Sequence, residues 1–242
     1  MAAAVIFDVD GTLAETERDG HRVAFNCAFA EAGLPWQWDE RLYGELLGVA
    51  GGRERITNFA QRFAPGWLAA ADAGRRIAEL HARKNAHYAA IVEAGELQLR
   101  PGLTALLDAL GAAGTRLAIA TTTSRANLEV LLRATLGTEA LARFEVAVCG
   151  EDVQRKKPDP EAYLLALQQL RLAAGQCVAV EDSTNGLRAA LAAGIATVIV
   201  RSVFTQADDF TGARAVFDGY AQGSAGPRDA RVLTPGFFAS LG

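Results

Sequence analysis

The fold is decided by the stretch Ala4-Val5-Ile6-Phe7-Asp8-Val9-Asp10-Gly11-Thr12, an apolar run that ends in two aspartates. Asp8 and Asp10 are two residues apart, so on an extended backbone both side chains point to the same side. In open α/β sheets, ligands bind beyond the carboxyl ends of the strands. Close carboxylates repel unless a cation lies between them, and Mg²⁺ takes such ligands together with phosphate oxygens. The alternative is a solvated Asp-Gly turn, which the preceding apolar run disfavours.

Four more short apolar runs predict further strands of the same sheet. They lie at residues 117–120, 146–148, 178–180 and 197–200. Continuous runs of this length are typical of strands that are buried on both faces of a parallel sheet. Leucines at helical spacing lie between them, at residues 103–110 and 128–136. This alternation predicts a doubly wound, Rossmann-like α/β core with a parallel sheet.

A helical insertion interrupts this predicted core after its first strand. No second strand pattern occurs before about residue 117, and residues 15–95 show helical periodicity instead, for example at 75–92. Glycine and proline at residues 95–101 favour a break between elements. We therefore predict a catalytic core of residues 1–14 and 96–242, with a helical cap domain of residues 15–95.

Composition excludes several classes of protein. The net charge of −4 and the lack of a Lys/Arg run argue against a nucleic-acid binder, which needs a basic face. No apolar run reaches the ~20 residues that span a bilayer, and the N-terminus lacks a signal-peptide pattern. Cys27, Cys149 and Cys177 lie too far apart for a disulfide framework or a zinc site. We expect a cytoplasmic monomer without membrane or nucleic-acid partners.

Three polar segments follow the later predicted strands. In Thr121-Thr122-Thr123-Ser124, hydroxyl and backbone N–H groups at a helix start can bind phosphate, with Ser124 as the N-cap. Lys157, which precedes Pro158, can neutralise a phosphate, and Glu181-Asp182 suit a metal ion. Each segment alone has an ordinary alternative: a helix cap, solvated lysines, or an acidic first helical turn.

Taken together, these polar groups are the parts that phosphoryl transfer requires. They comprise a carboxylate nucleophile, ligands for a metal ion, and positive or N–H groups for the phosphate oxygens. The combination is far more specific than any one of its parts. It predicts an enzyme that transfers a phosphoryl group from a small molecule.

The ordered set resembles the haloacid-dehalogenase superfamily of phosphohydrolases over nearly the whole chain. Residues 8–12 are similar to its first motif, and Thr121 is similar to its second. Lys157-Pro158 is similar to the third motif, and Glu181-Asp182 to the fourth. The helical insertion corresponds to the cap of that family.

This resemblance implies roles for the motif residues. Asp8 would be the nucleophile and Asp10 the general acid and base, with Thr121 and Lys157 as further catalytic residues. Mg²⁺ would be held by Asp8, the backbone carbonyl of Asp10, and Asp182. Glu181 would either bind the ion directly or contact the residues that bind it.

Three cap segments extend the resemblance to the CbbY-type phosphatases. Residues 17–22, 42–47 and 51–55 are similar to that group. The resemblance implies a phosphorylated sugar as the substrate, namely xylulose 1,5-bisphosphate, a misfire product that inhibits Rubisco in the Calvin cycle. Arg53 stands where lysine is expected in some relatives, and the two cations differ in geometry rather than in charge.

The cap would also bind the second, non-reacting phosphate of a bisphosphate. Arg53 follows Gly51-Gly52, where glycine allows the backbone to approach an anion, so we expect it to bind this phosphate. Lys84 would assist Arg53, and Thr122 would be a further substrate contact. Glu17 and His21 lie four residues apart, so on a helix they share a face that can meet sugar hydroxyls. The alternatives are a surface or core histidine at position 21 and solvated helix charges at Arg53 and Arg55.

Two other functions use the same motifs. A phosphomutase resembling β-phosphoglucomutase would return the phosphoryl group to the sugar instead of to water. A catalytically silent binding protein could also keep the fold, although the complete set of carboxylates, hydroxyl and lysine argues against it. Phosphate release from sugar phosphates, with and without Mg²⁺, separates these three.

Overall fold

The computed structural model describes residues 2–221 and 233–241. The chain forms two compact units. The core unit ends at Glu15 and resumes at Gln98, and the inserted unit is Thr16–Leu97. The boundaries expected from the sequence, 14/15 and 95/96, lie one and two residues from these.

A parallel sheet forms the centre of the core unit. Its strands in the described residues are β1 (Ala4–Phe7), β2 (Arg116–Ala120), β3 (Val146–Val148), β4 (Cys177–Glu181), β5 (Ala196–Val200) and β6 (Ala215–Phe217). The strand order is β3-β2-β1-β4-β5-β6, and every neighbouring pair is parallel. This is the strand order of Rossmann folds, and it confirms the predicted doubly wound α/β core.

The strands follow the apolar runs of the sequence. All four residues of β1 are fully buried, as expected for a central strand with both faces covered. The edge strand β6 was not predicted, because it has only three residues and its apolar run is too short to distinguish from a loop.

The register of the sheet brings the ends of the strands to one edge. Phe7 in β1 pairs with Ile119 in β2 and with Val180 in β4. The residues that follow these strands therefore emerge side by side. The backbone N–H of Asp8 donates to the Val180 carbonyl at 3.0 Å, which continues the pairing one residue beyond β1.

Helices build the inserted unit around an aromatic cluster. A π-helical turn, Glu17–His21, precedes α1 (Arg22–Glu31), α2 (Glu40–Leu46), α3 (Gly52–Phe63), α4 (Pro65–Leu68) and α5 (Ala73–Glu93). The fully buried ring of Trp38 lies 4.6 Å from Phe25, 4.8 Å from Phe29 and 5.4 Å from Phe59, measured between ring centroids. Such aromatic contacts provide much of the apolar burial in a small helical unit. Throughout the described ranges, no helix combines the length and the apolar character needed to cross a membrane.

Helices also connect the strands of the core unit. They are α6 (Leu103–Ala112), α7 (Arg125–Leu136), α8 (Glu161–Leu170), α9 (Thr184–Ala192) and, near the C-terminus, α10 (Pro235–Ala239). Ser124 caps α7 by accepting from the Asn127 N–H at 3.3 Å, as predicted. Ser183 caps α9 in the same way, accepting from the Gly186 N–H at 3.1 Å. Both helices therefore start at the carboxyl edge of the sheet and direct N–H groups toward it.

Candidate active site

A buried lysine joins three strands at the carboxyl edge of the sheet. Lys157 Nζ donates to Asp8 Oδ1 at 2.6 Å, to Glu181 Oε1 at 2.6 Å and to the Ala120 carbonyl at 2.7 Å. An ammonium group has three N–H donors, so these contacts use all of them. Only 5% of Lys157 is exposed, and the lysine is therefore an aimed internal cation rather than a solvated surface charge.

Charge in this cluster is not balanced by the lysine alone. Burial raises the pKa of the Asp8 carboxyl to about 8; the Lys157 ammonium opposes the rise, and the Glu181 carboxylate adds to it. Burial by itself would lower the pKa of Lys157, but the neighbouring Asp8 and Glu181 outweigh it and raise this pKa. Lys157 therefore stays protonated, and its single positive charge faces two acidic side chains.

Three carboxylates in the cluster form a group that suits a hard cation. Asp8, Glu181 and Asp182 each offer an oxygen, and these atoms all lie within 4.8 Å of one another. Within the described part of the chain, Glu181 Oε2 is buried without a hydrogen-bond partner. Carboxylate oxygens are the ligands that Mg²⁺ prefers, and a divalent ion would balance the excess negative charge. The residues present therefore fit the expected ion. The side chain of Asp10 is not in this group; its expected contribution is a backbone carbonyl.

Two glycines leave room for these carboxylates. A Cβ atom at Gly186, in α9, would overlap the Glu181 carboxylate. A Cβ atom at Gly11 would overlap the Asp182 carboxylate, and Gly11 also has a φ of +83°, which side-chain-bearing residues rarely adopt. Glycine is required at both positions because a side chain would overlap an acid, and at Gly11 the backbone conformation is a second reason.

Tyr163, which the sequence analysis did not identify, helps to hold Glu181. Its hydroxyl donates to Glu181 Oε1 at 2.6 Å, and Lys157 Nζ lies 5.0 Å from the centre of its ring. Burial raises the pKa of Tyr163 well above its usual value, with the Glu181 carboxylate adding to the shift, so the phenol stays protonated and donates. The sequence signal was only an apolar face of α8 that contains one hydroxyl.

The segment after β2 begins with a buried threonine, next in the chain to the residue whose carbonyl binds Lys157. Thr121 directly follows Ala120, whose carbonyl binds Lys157, and is almost fully buried. Its Oγ1 accepts from the Thr123 N–H at 3.2 Å, which leaves the hydroxyl proton available for an anion. Thr122 is partly exposed. This arrangement fits the predicted phosphate contact.

Within the inserted unit, Glu17 is held by two residues that the sequence analysis did not assign. The Tyr43 hydroxyl donates to Glu17 Oε2 at 2.5 Å, and Arg55 Nη1 donates to the Tyr43 oxygen at 2.8 Å. Arg55 Nη1 also lies 3.6 Å from Glu17 Oε2. Arg55 is therefore a buried partner of Glu17, whereas Arg53 is exposed at the start of α3.

Two other predicted residues of the inserted unit, His21 and Lys84, lie against the ring of Tyr88. The His21 ring stacks on the Tyr88 ring at 4.1 Å between centroids, and Lys84 Nζ lies 5.1 Å from the same ring. Both side chains are almost fully buried.

Gly51, with a φ of +95°, caps α3, and a Cβ atom at Gly52 would lie 2.5 Å from the His81 ring.

The structure thus brings together four of the predicted residues in the core unit. They are Asp8, Lys157, Glu181 and Asp182. In the inserted unit, Glu17 lies in the Tyr43–Arg55 network, whereas His21 and Lys84 share the ring of Tyr88. The π-helical backbone of residues 17–21 replaces the α-helix that the four-residue spacing assumed.

Comparison with known proteins gives the family. A sequence model of the haloacid dehalogenase-like hydrolase family matches residues 2–194. The chain is 50% identical over 214 residues to the plasmid-encoded protein CbbY of Cupriavidus necator, covering 88% of this chain and 84% of that protein. A crystal structure of CbbY from Rhodobacter sphaeroides with phosphate aligns with a TM-score of 0.83 and 43% identity, over 90% of this chain and 95% of that one.

A second crystal structure of the Rhodobacter sphaeroides protein contains a bisphosphate. It is a mutant in complex with xylulose-(1,5)bisphosphate, and it aligns with a TM-score of 0.82 and 42% identity. The alignment again covers 90% of this chain and 95% of that one. With a family match over most of its length and close similarity to CbbY proteins, the chain belongs to the haloacid dehalogenase-like hydrolases.

Proposed function

We propose that this protein is a Mg²⁺-dependent phosphatase that hydrolyses xylulose 1,5-bisphosphate to xylulose 5-phosphate and phosphate. Its family makes it a hydrolase, and its relatives support an enzyme that acts on sugar phosphates. The observation that carries the specific substrate is the 42% identity, over 90% of the chain, to a protein crystallised with that bisphosphate. A cytoplasmic, monomeric enzyme linked to the Calvin cycle remains part of the proposal.

The first chemical step would be attack by Asp8 on the reacting phosphorus. Lys157 binds Oδ1 of Asp8, so the other carboxylate oxygen is available for attack. The bond between phosphorus and the sugar oxygen breaks, and Asp10 gives that oxygen a proton. The products of this step are an aspartyl-phosphate on Asp8 and xylulose 5-phosphate.

The second step returns the enzyme to its starting state. Asp10, now a carboxylate, takes a proton from water as the water attacks the phosphorus of the aspartyl-phosphate. Phosphate leaves and Asp8 is regenerated. The Lys157 ammonium and the Thr121 hydroxyl stabilise the negative charge on the phosphate oxygens in both steps. Mg²⁺ bound by Asp8, Asp182, Glu181 and the Asp10 carbonyl would supply further positive charge for those oxygens.

The substrate assignment can be tested with a panel of sugar phosphates. We expect phosphate release from xylulose 1,5-bisphosphate with a kcat/KM well above that for monophosphates such as xylulose 5-phosphate, and loss of release in EDTA that Mg²⁺ restores. Equal values of kcat/KM for the bisphosphate and the monophosphates would contradict the assignment of xylulose 1,5-bisphosphate as the substrate. A phosphoryl group that moves to another sugar hydroxyl, without free phosphate, would indicate a mutase instead.

Asp8→Asn tests the nucleophile. The change is nearly isosteric and keeps an oxygen for Lys157, so the fold should persist, but an amide cannot form the acyl-phosphate. We expect turnover to fall by more than about 10⁴-fold, as it does when other covalent enzymes lose their nucleophile. Circular dichroism checks the fold, and Asp108→Asn, an exposed aspartate that binds Arg143, is the control. Turnover within about tenfold of wild type would reject attack by Asp8.

Asp10→Ala tests the general acid and base. Without this carboxylate, both protonation of the sugar oxygen and activation of water should slow. We expect phosphorylated Asp8 to accumulate with an activated aryl phosphate, whose leaving group needs no protonation. Intact-protein mass spectrometry after a rapid acid quench measures this accumulation, and we expect one added phosphoryl group per chain. Normal steady-state turnover in this variant would refute the role.

Arg53→Ala tests recognition of the second phosphate. A charge-assisted contact is worth ~1.5–3 kcal/mol, so we expect roughly a 10–150-fold loss of kcat/KM with the bisphosphate and little change with a monophosphate. Arg41→Ala removes another exposed arginine of the inserted unit and serves as the matched control. An equal loss with both substrates would give Arg53 a structural role, and no loss would make it a solvated charge.

Tyr163→Phe tests how Glu181 is held for the ion. The variant removes one hydroxyl and leaves Lys157 as the donor to Glu181 Oε1. Residues that orient metal ligands typically affect affinity by about 10–100-fold, so we expect weaker Mg²⁺ binding in this range. The Mg²⁺-dependent shift in Tm measures it without turnover. Thr197→Val also removes one buried hydroxyl, which donates to the Ile195 carbonyl, and should leave Mg²⁺ binding unchanged. If the two variants bind Mg²⁺ equally well, the Tyr163 hydroxyl has no specific role in holding Glu181 for the ion.

A further inference from the structure

We propose that Arg100 is a positioning residue that fixes the loop after β1 against the loop that carries Asp182. The proposal rests on the proposed function insofar as both loops serve a Mg²⁺-dependent reaction. Arg100 lies three residues after the boundary of the inserted unit, outside every motif of the sequence analysis. It is 8% exposed, which is unusual for an arginine.

The guanidinium group binds backbone carbonyls from three separate loops. Arg100 Nη1 donates to the Gly11 carbonyl at 2.5 Å and to the Val200 carbonyl at 3.3 Å. Arg100 Nη2 donates to the Arg201 carbonyl at 2.6 Å and to the Asp218 carbonyl at 3.2 Å. These carbonyls follow β1, end β5 and follow β6, so one side chain ties together the ends of three strands.

The strands joined in this way lie on both sides of β4. In the sheet order, β4 separates β1 from β5, and the residue after β4 is Asp182. A Cβ atom at Gly11 would overlap the Asp182 carboxylate and would lie 3.1 Å from Ser202 Cβ. The position of the Gly11 backbone therefore decides the space that Asp182 occupies. Since Arg100 holds Gly11 by its carbonyl, it acts on Asp182 through this contact.

Further contacts of Arg100 reinforce the same loop. The Arg100 N–H donates to the Leu13 carbonyl at 2.9 Å, and Ala14 pairs with Leu99 in an antiparallel bridge. Glu15 Oε1 lies 3.4 Å from Arg100 Nη1, and Glu15 Oε2 accepts from the Val203 N–H at 3.2 Å. Both the backbone and the side chain of Arg100 therefore hold the segment that follows the two aspartates.

The shape of the guanidinium group makes arginine specific for this task. Its planar fork presents donors in fixed directions, whereas the ammonium of lysine is a compact point charge. Lysine at position 100 keeps the positive charge but cannot reach four carbonyls in this arrangement. Arg100→Lys is therefore a mild variant that loosens the Gly11 loop, and Arg100→Met removes the charge as well.

The test compares these variants with Arg116→Met. Arg116 begins β2 at the opposite, amino edge of the sheet, where it binds Glu145 and the Leu170 carbonyl at 2.8 Å. Isothermal titration calorimetry with Mg²⁺, in the absence of substrate, gives the dissociation constant of the ion. Thermal unfolding gives Tm, and steady-state kinetics give kcat and KM separately. For Arg100→Lys we expect Mg²⁺ affinity and kcat to fall by about 10–100-fold, with KM within about twofold. Arg116→Met should lower Tm only.

The outcomes separate a positioning role from a structural one. If Arg100→Lys lowers Tm while Mg²⁺ affinity and kcat stay at the wild-type values, Arg100 is only structural and the proposal is wrong. The same holds if the wild-type protein binds no Mg²⁺. Because Mg²⁺ binding is measured without substrate, an enzyme that fails to hydrolyse xylulose 1,5-bisphosphate would reject that function while still deciding the role of Arg100. If Arg100→Met does not fold, the lysine variant gives the answer.

Discussion

The structure at the carboxyl edge of the sheet depends on the buried ammonium group of Lys157. This group binds a carboxylate that follows β1, a carboxylate at the end of β4 and a carbonyl at the end of β2. An unpaired charge could not remain ionised in such a place, because leaving water without a partner is too unfavourable. Removing one member of a buried pair typically costs about 3–5 kcal/mol for this reason. Lys157 therefore places one positive charge beside two buried acidic side chains, and it also fixes their separation.

No local segment of the chain contains this site. The three contacts of Lys157 join residues that are 149, 37 and 24 positions apart. Parallel strands with crossover helices solve this problem, because every strand then ends at the same edge. The insertion does not disturb the arrangement: β1 pairs directly with β2, although residues 8–115, which include the inserted unit, separate them in sequence. The bridge between Ala14 and Leu99 pairs the segment that leaves the core unit, just after the first motif, with the segment that returns to it.

Much of the fold could be predicted because continuous apolar runs and leucine spacing are local signals. Five strands and the helical insertion follow from them, whereas β6 was missed because three residues carry too little pattern. In the site, Asp8, Lys157, Glu181 and Asp182 stood out because they follow predicted strands. Tyr163 and Arg100 could not be recognised in the same way, because their roles arise only from tertiary contacts. An isolated hydroxyl on an apolar helix face and an arginine before Pro-Gly have ordinary local explanations.

The two glycines that face carboxylates restrict how this protein can change. Position 186 is closed to every larger residue as long as position 181 carries an acid in its present place, and position 11 is coupled to Asp182 in the same manner. Neither pair can be varied one residue at a time. A mutant library that diversifies α9 or the loop after β1 will therefore lose its active members at these positions, and varying the acid opposite will not restore them, because both acids belong to the group that suits Mg²⁺. At position 186 the tolerance to substitution is set by the volume beside a charged group rather than by helix propensity, and at position 11 the backbone conformation adds a second restriction.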